Sequence, residues 1–348
     1  MKIHSRATRA FTGLAVASIS VIALGGCASG GTGGTGDGGG EKTTVGFSTA
    51  VLDNPFTSGL VQSVVDQANE QGLNMLPPIN AEGDAGKQVE DFQTLITQGV
   101  KGIVLIPRDS DAIVPAVQAA NAAGIPVVTV DTAANGGDVY MQVRADNVSM
   151  GTSVCEQIGG LLNGEGTVLE VAGYQATSNG LDRSTGFNDC IKDKFPNIKV
   201  ITQDAEWNTE KSAEIAQANL STQKVDAVYL ASDTTYLDAV ASVMKGLDIW
   251  HPVGDAGHVP VVTIDGGAGS LDAIRDGYVD AVVSQPVDQY GVWGTQYLLD
   301  ALAGKTYKIG PTDHDSEIVD YMGTLADMLP SPVVTKDNVD DDTLWGNF

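Results

Sequence analysis

From residue 43 onward the sequence predicts an α/β protein made of two doubly wound, parallel-sheet lobes. Short β-rich runs alternate with amphipathic helical windows throughout this region, the pattern of repeated strand–helix units. Runs such as GIVLI (102–106) and VVTI (261–264) are apolar at nearly every position, as strands covered by helices on both faces require. Ten such strands exceed what one open sheet of this kind usually holds. The strand near 139–144 runs through RADN into a new helix, so the chain divides at Val143 to Asn147.

In chain order the strands are expected at 43–48, 73–76, 102–106, 126–130, 139–144, 166–172, 198–203, 225–230, 260–264 and 280–284. In DAGKQVEDFQTLITQG (84–99), Val89, Phe92, Leu95 and Ile96 share one helical face and Gly99 can end the helix. DSDAIVPAVQAANAAG (109–124) opens on Asp and Ser cap candidates and stops at Gly124, with Pro126 entering the next strand.

What precedes this region is different in kind. MKIHSRATRAFTGLAVASISVIALGGCASG has a basic start, a short apolar stretch and small residues. It reads as a secretory signal over 1–26, with an apolar run too short to span a bilayer comfortably. Leu24-Gly25-Gly26-Cys27 resembles the lipobox of bacterial lipoproteins, which implies a lipid-bearing Cys27 and an extracytoplasmic protein anchored to the cell membrane. The Gly-rich run that follows, to residue 42, reads as a flexible tether, about 20 Å in reach.

The 348-residue chain carries a formal charge of -25. Without Lys2, Arg6 and Arg9 of the leader, 16 basic groups face 44 acidic ones, or -28. So acidic a surface repels phosphate backbones and argues against nucleic-acid binding. Cys155 and Cys190 remain as an even pair, open to a disulfide or to two buried thiols.

In open α/β sheets ligands lie beyond the carboxyl ends of the strands. There the sequence places Asp131 after PVVTV, Asp233 after VDAVYLAS, Asp265 after PVVTI and Gln285 after AVVS. Arg183 is expected in the loop after GTVLEVAG, and Trp207 follows VITQDAE. Carboxylates and a guanidinium suit hydroxyl groups, and aromatics cover flat C–H faces. Taken singly, each acid could simply cap the next helix, Arg183 could be a surface charge and Trp207 a core aromatic. Six such positions at one end of two sheets favour a site. Phe56, in DNPFTSG (53–59), is an aromatic at a loop mouth with no evident core to enter.

At these residues a family resemblance emerges. STAVLDNPFTSGLVQSV, LIPRDSDAIVPAVQAANAAGIPVVTVD, ADNVSMG, RSTGF, TIDG and SQPVDQYG, in that order, resemble the ribose-binding-protein-like group of type I periplasmic sugar-binding proteins of ABC transporters, over roughly residues 43–310. The resemblance implies lobes joined by three crossings that close on a sugar like a hinge. It places 43–145 with 286–312 in an N-terminal lobe and 146–285 with 313–348 in a C-terminal lobe. It implies sugar contacts at Asn54, Phe56, Asp131, Arg183, Trp207, Ser232, Asp233, Asp265 and Gln285. Thr132 stands where the group has Arg, Thr57 where it has a second Phe and Ile106 where it has Asn. Arg144, just before the first crossing, is the candidate replacement cation. A site that has lost a buried donor should reject the sugar which that donor paired, so a pentose, hexose or cyclitol is expected without naming one.

The implied partners are a small-molecule sugar, a membrane permease and the membrane itself through the lipid. A monomer is expected, with no cofactor and no enzymatic activity. A receptor subunit that passes its closed form to a signalling partner is the alternative function. Leu299 stands where a phosphate loop ending in Gly304-Lys305-Thr306 needs Gly, Asp272 breaks a dinucleotide turn at IDGGAG, and no Gly-x-Ser-x-Gly elbow occurs. His251, Asp255 and His258 read as a solvated loop rather than a metal site, and KDNVDDD as a solvated acidic face.

Overall fold

The computed structural model describes residues 42–348. The expected signal segment, Cys27 and nearly all of the tether fall on 1–41, outside the described residues.

The first lobe runs β1 (Thr44–Thr49), α1 (Pro55–Glu70), β2 (Asn74–Met75), β3 (Ile79–Asn80), α2 (Ala85–Thr97), β4 (Ile103–Ile106), α3 (Val114–Ala122), β5 (Val127–Val130) and β6 (Val139–Ala145). The second repeats the scheme with α4 (Asn147–Leu161), β7 (Glu165–Ala172), α5 (Ser178–Lys194), β8 (Asn197–Asp204), α6 (Thr209–Leu220), β9 (Ala227–Leu230), α7 (Asp233–Gly246), β10 (Val261–Asp265), α8 (Ala268–Arg275) and β11 (Ala281–Ser284). Helix α9 (Val287–Leu302) returns the chain to the first lobe. There β12 (Gly310–Pro311), β13 (Glu317–Tyr321) and β14 (Thr324–Leu329) extend the sheet, before β15 (Val333–Val334) joins the second sheet and a 3-10 turn forms at Trp345–Asn347.

The strand orders are β12-β13-β14-β6-β5-β4-β1-β2, with β3 also on β1, and β15-β11-β10-β9-β7-β8. In each lobe the first strand lies inside, between the second strand and the later ones, and these five strands pair in parallel. That is the doubly wound order, and the point where the order reverses opens a crevice at the strands' carboxyl ends.

The chain passes between sheets at 145–147, 284–287 and 329–333. One boundary differs from expectation: the tail 313–348 is not all in the second lobe. β13 and β14 form a hairpin whose second strand pairs parallel with β6, Asp327 beside Val143. Its turn, Met322-Gly323, has φ of 55° and 82°, and two positive φ values match the twist of adjoining strands.

Several strand-to-helix junctions are capped by a short polar side chain. Asn54, Asp84, Asp146, Thr177 and Asn208 accept the amides of Thr57, Lys87, Ser149, Gly180 and Lys211 at 2.9, 2.9, 2.9, 3.2 and 2.8 Å, each worth about 1 kcal/mol. The 109–124 helix starts later than expected, at Val114, because the Asp109 carboxylate instead closes a turn on the amides of Asp111 and Ala112.

A hydrophobic core runs through both lobes, with Phe47, Val104 and Val128 in one and Val168, Val228 and Val262 in the other. A second cluster around Phe92, Leu95 and Val117 fills the other face of the first sheet. Cys155 and Cys190 are joined as a disulfide, Cα–Cα 6.1 Å, which ties α4 to α5.

Candidate binding site between the lobes

The carboxyl ends of the two sheets border a cavity of about 580 Å³, within the range of small-molecule sites. Asn54, Phe56, Asp131, Arg183, Trp207, Ser232, Asp265 and Gln285 all line it.

The second lobe supplies a pre-assembled polar wall. Asp265 ends β10 with φ of 115°, a conformation that L-residues rarely adopt and that concentrates at functional sites. Its Oδ2 accepts from Ser232 Oγ at 2.6 Å and Thr234 Oγ1 at 2.9 Å. Its Oδ1 accepts from Gln285 Nε2 at 3.2 Å and Arg183 Nη1 at 3.4 Å. Arg183 also donates from Nε to Asn147 Oδ1 at 2.7 Å and from Nη1 to the Ala231 carbonyl at 2.5 Å. Beside it, Trp207 has φ of 54°, stacks on Tyr236 at 6.2 Å and donates from Nε1 to Thr177 Oγ1 at 3.2 Å. A Cβ on Gly173 would lie 2.0 Å from the Trp207 ring, so only glycine lets the indole sit there.

The first lobe's wall is sparser. Asp131, with φ of 64°, follows β5 and is 6% exposed. It accepts from Thr132 Oγ1 at 2.9 Å and from Asn179 Nδ2 of the second lobe at 2.8 Å. Burial raises its carboxyl above the ordinary 3.8, against the opposing pull of Arg183. Asn54 Oδ1 is committed to the backbone and hydroxyl of Thr57, so capping and cavity lining coincide in one residue. Phe56 meets Tyr290 and Trp345 edge-on at 6.5 and 6.2 Å. It is 9% exposed, so it is the floor of the cavity and not a free-standing slab.

This cleft has relatives. Residues 45–306 match the family model described as periplasmic binding protein domain. The chain belongs to that family. The ribose import binding protein RbsB of Bacillus subtilis (strain 168) is 31% identical over 268 residues, 76% of this chain and 83% of that protein. A xylitol-binding protein of Mycolicibacterium smegmatis is 27% identical and covers 75% of this chain and 68% of its own length. A crystal structure of an ABC transporter solute binding protein from Mycobacterium smegmatis with bound glycerol matches with a TM-score of 0.75 at 26% identity, over 86% of this chain and 96% of that one. The two-lobed sheet topology is that of type I periplasmic binding proteins.

Two expected residues of this periplasmic binding protein lie elsewhere. Asp233 does not line the cavity; its carboxylate accepts the amides of Gly266 and Gly267 at 2.7 and 3.3 Å and so holds the turn that carries Asp265. Burial, with Asp265 close by, pushes its carboxyl well up. Arg144 is not a replacement cation in the cavity. Its Nη2 donates to Asp182 at 2.6 Å, and its guanidinium lies 4.1 Å from the centre of the Tyr321 ring. Arg183 sits within α5 and not in a loop before it.

Arg108 was missed by sequence reasoning. It lines the cavity, donates to the Gly83 carbonyl at 2.9 Å, and lies 4.4 Å from the Tyr174 ring centre across the cleft. The signal was present in IPRDSD, two residues past the strand end. Asn179 and Thr234 were missed as well, and nothing in TSNG or SDTT marks their reach. His258 pairs with Asp280 and the His251 carbonyl.

Proposed function

We propose that this protein is the solute-binding component of an ABC importer that takes a neutral sugar-class ligand, a pentose, hexose or cyclitol, between its lobes and presents the closed form to a membrane permease. The observation that carries the reading is the pairing of Asp131 and Asp265 at equivalent strand ends of opposite lobes, with Arg183 and Trp207 beside them, around one cavity. Hydroxyl groups donate to Asp131, Asp265 holds Arg183 in place, Arg183 donates to ring or hydroxyl oxygens, and the indole covers a C–H face. A ligand that touches both walls stabilises the closed arrangement by contacts found only there, which is a shift of population and needs no covalent step. The names of the curated relatives, which bind ribose or xylitol, support a polyol. Thr132, Thr57 and Ile106, at positions where the ribose-binding group differs, argue for one other than ribose. Lipid attachment at Cys27 would keep the protein beside its permease.

A thermal-shift screen over monosaccharides, cyclitols and nucleosides tests this. A ligand at 100 times its dissociation constant adds about 2.7 kcal/mol of stability. A response to nucleosides alone, or hydrolysis of a disaccharide by the purified protein, would overturn the reading.

A further inference from the structure

The turn that opens α5 is hydrogen-bonded directly to the opposite lobe. The Ala176 carbonyl accepts from Ser110 N at 3.0 Å, and Ser110 Oγ accepts from Ser178 N at 3.0 Å. Ser178 Oγ accepts from Ala133 N at 2.9 Å, and Asn179 Nδ2 donates to Asp131 Oδ1 at 2.8 Å. Ser110, Ser178 and Asn179 are 1%, 5% and 3% exposed. None of this is ordinary helix capping, because Thr177 caps α5 by accepting Gly180 N, which leaves the next two side chains free to cross the cleft. The Asn179 amide is also fixed in orientation. Its Oδ1 faces donors on Arg144 at 3.4 Å and Asn147 at 3.3 Å, so Nδ2 must face Asp131.

We propose that residues 176–179 are a closure strap, that Ser110 and Ser178 are positioning residues that set the affinity for every sugar by the same factor, and that Asn179, which also lines the cavity, ties the strap to Asp131. Each bond joins protein to protein, so it favours the shut cleft whether or not a sugar is inside. Apparent affinity scales with the fraction of molecules already in the binding-competent form, and the strap raises that fraction. Ser110 and Ser178 do not line the cavity, so their effect on a sugar passes through closure alone. The affinity part of the proposal rests on the sugar-binding function above; the closure part does not.

The test uses the full chain with spin or fluorophore labels at exposed Lys101 and Lys199, one on each lobe. Lobe separation is measured without sugar, and dissociation constants are measured for two or more sugars. Ser178→Ala should shift the sugar-free distribution toward open and weaken all sugars alike, by about three- to tenfold, and Ser110→Ala should do the same. Asn179→Asp keeps the side chain's shape at a helix N-terminus, where an anion is favoured, but turns a carboxylate toward Asp131 and should open the cleft further. With circular dichroism confirming the fold, an unchanged sugar-free separation in these variants overturns the strap. So does a loss in Ser178→Ala or Ser110→Ala that differs from sugar to sugar, which would make these residues contacts. If the wild type binds no sugar, the proposed function fails, and the sugar-free separations still decide the strap.

Discussion

Asp131 and Asp265 stand at corresponding places in two lobes of the same strand order, each at the carboxyl end of the fourth strand and each with positive φ. Their surroundings differ. Asp265 accepts from Arg183, Gln285, Ser232 and Thr234, which fills the acceptor capacity of a carboxylate. Among the described residues Asp131 accepts from Thr132 and Asn179 only, and burial raises its carboxyl. The second lobe is therefore a finished platform that orients Arg183. The first lobe's acid has acceptor capacity to spare for a ligand. Removing a group from the platform should cost stability and binding together, whereas removing Asp131 should cost binding almost alone.

The largest effect is expected from Arg183→Ala. It removes the buried cation paired with Asp265, 2% exposed, which keeps its three neutral donors, and leaves Asn147 Oδ1 without its donor, and breaking a buried pair on one side costs about 3–5 kcal/mol. Thermal melting should fall accordingly and calorimetric titration should show no sugar binding. Next is loss of the Cys155–Cys190 bond, which closes a loop of sequence separation 35 and should lower stability by about 3–4 kcal/mol, read by denaturant unfolding of the Cys155→Ser/Cys190→Ser variant.

Asp131→Asn should weaken binding by roughly ten- to a hundredfold through loss of a charge-assisted hydrogen bond, with the melting point held or raised. If its melting point fell as far as that of Arg183→Ala, the contrast between the two walls would be wrong. The same group sets a pH dependence. Its folded pKa lies above 3.8, so its contribution to stability is fully present below 3.8 and is lost as pH rises through the raised value. Binding runs the other way: a hydroxyl that donates to the ionised carboxylate makes affinity fall as pH drops through that value. Titrations across acidic pH, repeated on Asp131→Asn, should show a steeper slope in the wild type, the remainder coming from Asp233. The smallest effect is expected from Arg108→Ala, which removes a partly exposed stack on Tyr174 worth about 0.5–1 kcal/mol, and should weaken binding two- to fivefold.

The parallel strands were legible because doubly covered strands leave long apolar runs, and the strand ends led directly to Asp131 and Asp265. The hairpin of β13 and β14 was not, because its inner position Asp327 is wholly buried and breaks the apolar alternation. That acid is satisfied by Tyr297 and His314 at 3.0 and 2.8 Å, partners set by tertiary packing. Ser232 and Asp233 show a second limit. Adjacent residues leave the chain in different directions, so one lines the cavity and the other turns back to Gly266 and Gly267. Arg144 was misjudged for a similar reason, since position near a strand end does not say which face a long side chain takes. Asn179 was out of reach altogether, because its partner belongs to the other lobe.

The disulfide lies away from the cleft, yet it bears on closing. Helix α4 starts at the first crossing, α5 starts at the strap, and Cys155 and Cys190 bolt the two together. A bolted pair turns as one plate, with the pivot at one corner and the clasp at another. On the proposed closure, movement at the pivot would reach the clasp through this pair, and slack between the helices would blunt it. On that proposal an oxidising surrounding would tune the mechanics of closing as well as durability, and reductant should weaken binding of a sugar that neither cysteine touches.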